Sequence, residues 1–124
     1  MAIVLEIPRC NISAVLSHLG RSMPVFFLYL KSATCERIRQ LLGMKDASKE
    51  PYFDSESNKE TQKRITLLPE RVSDESKLII KRIFSKEYGK DVMTSIEAKD
   101  ANIILVRASP INPDVSLSKS YSFT

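Results

Sequence analysis

The run Val25-Phe26-Phe27-Leu28-Tyr29-Leu30 constrains the fold of this chain more than any other segment. Its residues are apolar on both faces of an extended chain, so it predicts a central strand covered on two sides. Pro24 precedes it and Lys31 ends it. No apolar run reaches the roughly 18 residues that a membrane span requires, so a membrane protein is excluded.

The remaining elements arrange themselves around that strand. Ile3, Leu5 and Ile7 alternate with Val4 and Glu6 up to Pro8, the pattern of a short edge strand. Residues 11–19 fit both a helical and a period-two pattern and are left open, with a slight preference for an extended segment. After Lys31, Ser32 and Thr34 offer capping oxygens. Cys35, Ile38, Leu41 and Leu42 then recur at helical spacing before Gly43. Residues 44–62 form a long polar loop with Pro51-Tyr52-Phe53 as its apolar island. At 19 residues it exceeds ordinary loop lengths, and disorder is the preferred reading. Ile65 to Leu68 is a short strand closed by Pro69.

Ser73, Asp74 and Glu75 are a helix start, and Ile79, Ile80, Ile83, Phe84 and Tyr88 form an apolar stripe up to Gly89. This stripe is expected to lie in the core. Residues 91–96 and 102–106 read as an antiparallel hairpin. The expected fold class is α+β, a mostly antiparallel sheet of about five to six strands with two amphipathic helices. Residues 1–110 are expected to form a single domain, and 111–124 a flexible tail.

The chemistry is sparse. The 43% apolar and 27% charged content belongs to a packed globular chain. No secretory signal opens the sequence, which predicts a cytoplasmic protein, with the nucleus left open. Cys10 and Cys35 are read as buried thiols, too few for a disulfide framework. With His18, the single histidine, they make neither a zinc set nor an oriented nucleophile. His18 reads as a core-margin residue. The three glycines are isolated, so no phosphate-cradling loop is present. No catalytic residue, metal ligand or cofactor is expected. Net charge is +4, with 19 basic residues interleaved among 15 acidic ones. That balance admits several partners without choosing one.

The segment from Ser76 to Ile96, followed by Asn102-Ile103-Ile104-Leu105-Val106, resembles the C-terminal half of the proteasome assembly chaperone 4 family. The matching positions are a basic-faced helix stopping at Gly89-Lys90, Val92 with Ser95 on the next strand, and a final apolar strand from Ile103 to Val106. Val25 to Ser32 is similar to the family's earlier strand-to-helix signature. After Val106 the chain departs from the pattern, with Ser109-Pro110 and a polar segment where that family tends to have a charged helix.

The resemblance implies a non-catalytic assembly chaperone for the 20S proteasome core particle, one half of a small heterodimer. Its partners would be a related small chaperone and proteasome α-type subunits. Basic residues on the two helices, Arg37, Arg39, Lys77, Lys81 and Arg82, are then expected at the rim of the partner interface. The alternative is a small basic nucleic-acid-binding domain using the same side chains against phosphate.

Overall fold

The computed structural model describes residues 4–20, 24–85, 92–108 and 120–123. Among them, strands β1 (Val4–Ile7), β2 (Ile12–His18) and β3 (Val25–Leu30) precede helix α1 (Ser32–Leu42). Then follow β4 (Ile65–Leu67), α2 (Asp74–Ile83), β5 (Met93–Ser95), α3 (Ala98–Ala108) and β6 (Ser120–Phe123). The α+β class holds. The main sheet has four strands in the order β4-β3-β2-β5, and β1 pairs in parallel with β6 as a separate ribbon. Within the main sheet β2·β3 and β3·β4 are antiparallel and β2·β5 is parallel.

The apolar run lies at the centre of this sheet, as its two apolar faces require. Phe26, Leu28 and Leu30 point into the larger core cluster, with Leu5, Ile7, Ile12, Val15, Cys35 and Ile38. Val25 and Phe27 point to the other side, where Ala101 of α3 and the partly buried Leu16, Ile104 and Leu105 cover them. Strand alternation thus divides one continuous apolar run between two cores. Of the ambiguous segment 11–19, Ile12–His18 is strand, with a register irregularity between Ile12 and Ala14.

The expected C-terminal hairpin is a strand followed by a helix. Ala101, Ile104 and Leu105 recur at i, i+3 and i+4 and turn inward, while Ile103 and Val106 remain exposed. Four successive apolar residues fit a strand as readily as a helix; packing on β2 and β3 selects the helix. Among the described residues there are accordingly three α-helices rather than two.

Helix α1 ends at Gly43, whose φ of 69° provides the left-handed residue that closes the last turn. Its start differs from expectation. Lys31 is the N-cap and no side chain caps the helix, because the Thr34 side chain is buried inside instead.

Helix α2 starts as expected, with Ser73 Oγ accepting from the Ser76 amide at 3.1 Å. It ends at Ile83, before the Gly89 stop, which lies outside the described residues with Tyr88. At that end Arg9 reaches across, Nε donating to Ile83 O at 2.6 Å and Nη2 to Ser85 O at 3.0 Å. A cation on orphan carbonyls at a helix C-terminus suits the dipole.

The polar loop 44–62 is ordered. Phe53 inserts into the larger core, and the Asp54 amide donates to Gln62 O at 2.8 Å to close the loop on itself. Gln62 is buried, its Nε2 donating to Ala47 O at 2.8 Å and its Oε1 accepting from Ser57 Oγ at 2.9 Å. The loop also serves the sheet, since Ser55 Oγ accepts from the Leu30 amide at 3.0 Å. Each polar group that this packing removes from water finds a partner. Of the expected tail, residues 111–119 and 124 lie outside the described residues, and 120–123 form β6.

Candidate functional site

The sequence singled out five basic residues, and they occupy different environments. Arg39 is turned inward: Nη1 donates to Phe53 O at 2.9 Å, and its guanidinium lies 5.1 Å from the centre of the Tyr52 ring. It anchors the loop. Lys77 sits 3.8 Å from Asp74 on its own helix, and Arg37, Lys81 and Arg82 are exposed.

Sequence reasoning missed Arg64. Its side chain is 5% exposed, with Nε donating to Tyr29 Oη at 2.8 Å and Nη2 to Glu60 Oε2 at 2.5 Å. Burial pulls the guanidinium pKa down, but the bonds with Glu60 and Tyr29 outweigh it and hold the value above the ordinary one. The Arg64 hydrogen bond in turn depresses the Glu60 carboxyl. The i, i+4 spacing of Glu60 and Arg64 was the available sequence signal, hidden because the segment is not a helix.

The thiols and the imidazole have structural surroundings. Cys35 is buried in the core with Sγ 3.6 Å from Leu30 O. Cys10, expected to be buried, is exposed, because the chain leaves β1 at Pro8 in a short 3-10 turn over Arg9–Asn11. His18 Nδ1 lies 3.1 Å from Ile96 O, and a Cβ added at Gly20 would fall 2.5 Å from its Nε2. The ring therefore packs over Gly20. It borders a shallow hollow of about 320 Å³, shared with Val25, Lys99, Ala101 and Leu105, that is mostly apolar. Among the described residues, no three or more His, Cys, Asp or Glu side chains converge as a metal site. No described helix is long and apolar enough to cross a membrane.

What the surface does offer is the outer face of α2. Ile80 and Phe84, four residues apart, turn inward, with Phe84 buried. Ile79 and Ile83, expected in the core, are 52% and 40% exposed, and the neighbouring Leu78 is 69% exposed. At 100° per residue Glu75, Leu78, Ile79, Arg82 and Ile83 follow the i, i+3, i+4, i+7, i+8 pattern of one stripe, roughly opposite Ile80 and Phe84. The apolar residues of α2 thus make two stripes, and the core takes only one. No residue of α2 is fully buried.

The family model described as the SENP6/SENP7 PH-like domain matches residues 1–114. No curated protein and no solved structure matches the chain. This match overturns the resemblance to proteasome assembly chaperones, and with it the expected chaperone and α-subunit partners. The resemblance failed for a structural reason: the supposed final strand from Ile103 to Val106 belongs to a helix. The nucleic-acid reading finds no support either. Phe26 and Phe27 are buried and offer no stacking platform, and Arg39 is committed to the loop while Arg37, Lys81 and Arg82 are exposed.

Proposed function

The chain belongs to the SENP6/SENP7 PH-like domain family, and on that premise we propose that it is a non-catalytic interaction domain that serves a protease of the SENP6/SENP7 kind. The observation that carries this reading is the outer stripe of α2, a two-turn apolar surface with an acidic and a basic end. Contiguous exposed apolar surface on a small domain marks a contact site. The non-catalytic part rests on the side chains that chemistry would need. Cys35 is enclosed by apolar neighbours, the His18 ring is held between a carbonyl and Gly20, and Cys10 faces solvent beside Asn11.

The test uses a full-length protease of this family carrying the domain. Leu78→Glu with Ile79→Glu is expected to leave cleavage of a small reporter substrate within about twofold of the parent, because on this reading α2 acts by contact and not by chemistry. Processing of a folded protein substrate is expected to fall several-fold. Equal loss on both substrates, or hydrolysis by the isolated 124-residue chain, would contradict the reading.

A further inference from the structure

We infer that β1 is a strand-addition site for an extended partner peptide with aromatic residues at alternate positions, and that residues 120–123 of this chain occupy it in cis. The inference is independent of the α2 face. Its basis is the origin of β6. The family match covers residues 1–114, so it includes β1 (Val4–Ile7) and stops short of β6 (Ser120–Phe123), yet β6 is the strand with which β1 pairs.

β1 is anchored by its own side chains. Leu5 and Ile7, 3% and 1% exposed, belong to the larger core cluster with Ile12, Val15 and Leu28, whereas Glu6 between them is exposed. The core thus fixes one face of the strand, and pairing takes place along its edge.

β6 is held more lightly. Its pairing is parallel, runs for four residues and forms a two-stranded sheet by itself. Parallel pairs are less stable per residue than antiparallel ones and ordinarily lie inside larger, covered sheets. Such a pairing opens at low local cost, so a competing strand can replace it.

The register indicates what the edge accepts. It sets Tyr121 against Leu5 and Phe123 against Ile7, so the aromatic positions of Ser120-Tyr121-Ser122-Phe123 stand opposite the two buried residues of β1. In strand addition the main-chain ladder supplies affinity and alternate side chains supply specificity. The pattern is hydroxyl, aromatic, hydroxyl, aromatic, with no charged residue. Tethered through residues 109–119, the cis segment acts at a local concentration on the order of 1 mM, and a peptide that binds the open edge at about 100 μM is held off about tenfold.

The experiment titrates a fluorescein-labelled peptide with the sequence of residues 118–124 into the 124-residue chain, with anisotropy as the readout. The variant Tyr121→Pro/Ser122→Pro removes two successive amides of β6, so one of them belongs to the ladder whichever way the strand faces β1. It is expected to keep the fold by circular dichroism and to bind the peptide about tenfold more tightly than wild type. A peptide with Ser at both aromatic positions should bind the variant several-fold more weakly. In wild type, millimolar unlabelled peptide should shift the amide NMR signals of Val4–Ile7 and leave those of Val25–Leu30 in place, a result that needs no variant. Equal affinity in wild type and variant, equal affinity for the two peptides, or Val4–Ile7 signals that do not move would overturn the proposal. Dimerisation of wild type that the proline pair abolishes, together with a variant that ignores added peptide, would assign the edge to a second copy and overturn it as well.

Discussion

Helix α2 and the loop 44–62 exchange the roles that their compositions suggest. The helix carries the more regular apolar pattern and leaves Leu78, Ile79 and Ile83 in solvent. The loop is polar, lacks periodicity, and places Phe53 and Gln62 in the interior. The difference lies in partners. A side chain is buried when something of matching shape and polarity covers it, and periodicity says only that residues share a face. Ile80 and Phe84 pack into the larger core cluster; Leu78, Ile79 and Ile83 beside them stay exposed. The loop, conversely, is held by residues distant in sequence: Arg39 bonds Phe53 O, Ser55 bonds the Leu30 amide, and Gln62 bonds Ala47 O.

The largest effect that would break this comparison is on Phe53. Phe53→Ala in the loop is expected to cost about 3–5 kcal/mol, the range for emptying a core aromatic site. Leu78→Ala in the helix should stay within about 0.5 kcal/mol. Urea unfolding of the two variants, followed by circular dichroism, gives the contrast directly. Similar costs would mean that the loop is peripheral or the stripe is covered.

Next in size is Gln62→Ala. It leaves the Ala47 carbonyl and the Ser57 hydroxyl without their buried partner, and the expected loss is about 1–3 kcal/mol by the same unfolding assay. A loss below the scatter of that assay would show that water replaces the amide freely.

Ser73→Ala, which removes the α2 cap, is expected to cost about 1 kcal/mol. Ser73→Gly should cost only a few tenths. The pair separates capping from packing: Ser73 is exposed, so the loss should be the cap's alone.

The smallest effect is acid sensitivity confined to the loop. Ser48 hydrogen bonds lower the Asp46 carboxyl and the Arg64 bond lowers that of Glu60. A carboxyl whose folded value is depressed contributes stability above its unfolded pKa and loses that contribution as pH falls through the folded value. The loop should therefore loosen as pH drops below about 4, the ordinary carboxylate range. Tyrosine fluorescence reports this through Tyr52 and Tyr29, and Glu60→Gln should remove part of the pH dependence. A flat profile from pH 7 to pH 3 would contradict the assignment.

These particulars also show what the sequence discloses. The Val25–Leu30 run, the Ser73 cap, the Gly43 stop and the strand at 65–67 follow from local rules, because each depends on a few neighbouring residues. The α3 segment was misread because Ile103-Ile104-Leu105-Val106 satisfies both periods, and only the surface of β2 and β3 chooses between them. Gln62 was invisible because its partners are loop atoms, and Arg64 because it is held by Tyr29 of β3, distant in sequence, together with Glu60 outside any helix. The candidate site was legible in part. Lys77, Lys81 and Arg82 lie on the helix that carries the candidate face, while Ile79 and Ile83 of its outer side read as core because periodicity does not say which stripe is covered.

Amide hydrogen exchange of the 124-residue chain decides whether the loop belongs to the fold while the outer face of α2 does not. Slow exchange is expected for the Asp54 and Gln62 amides, and Leu78→Glu with Ile79→Glu is expected to leave that protection unchanged. Fast exchange throughout 44–62, or loss of the loop's protection in the variant, would contradict it.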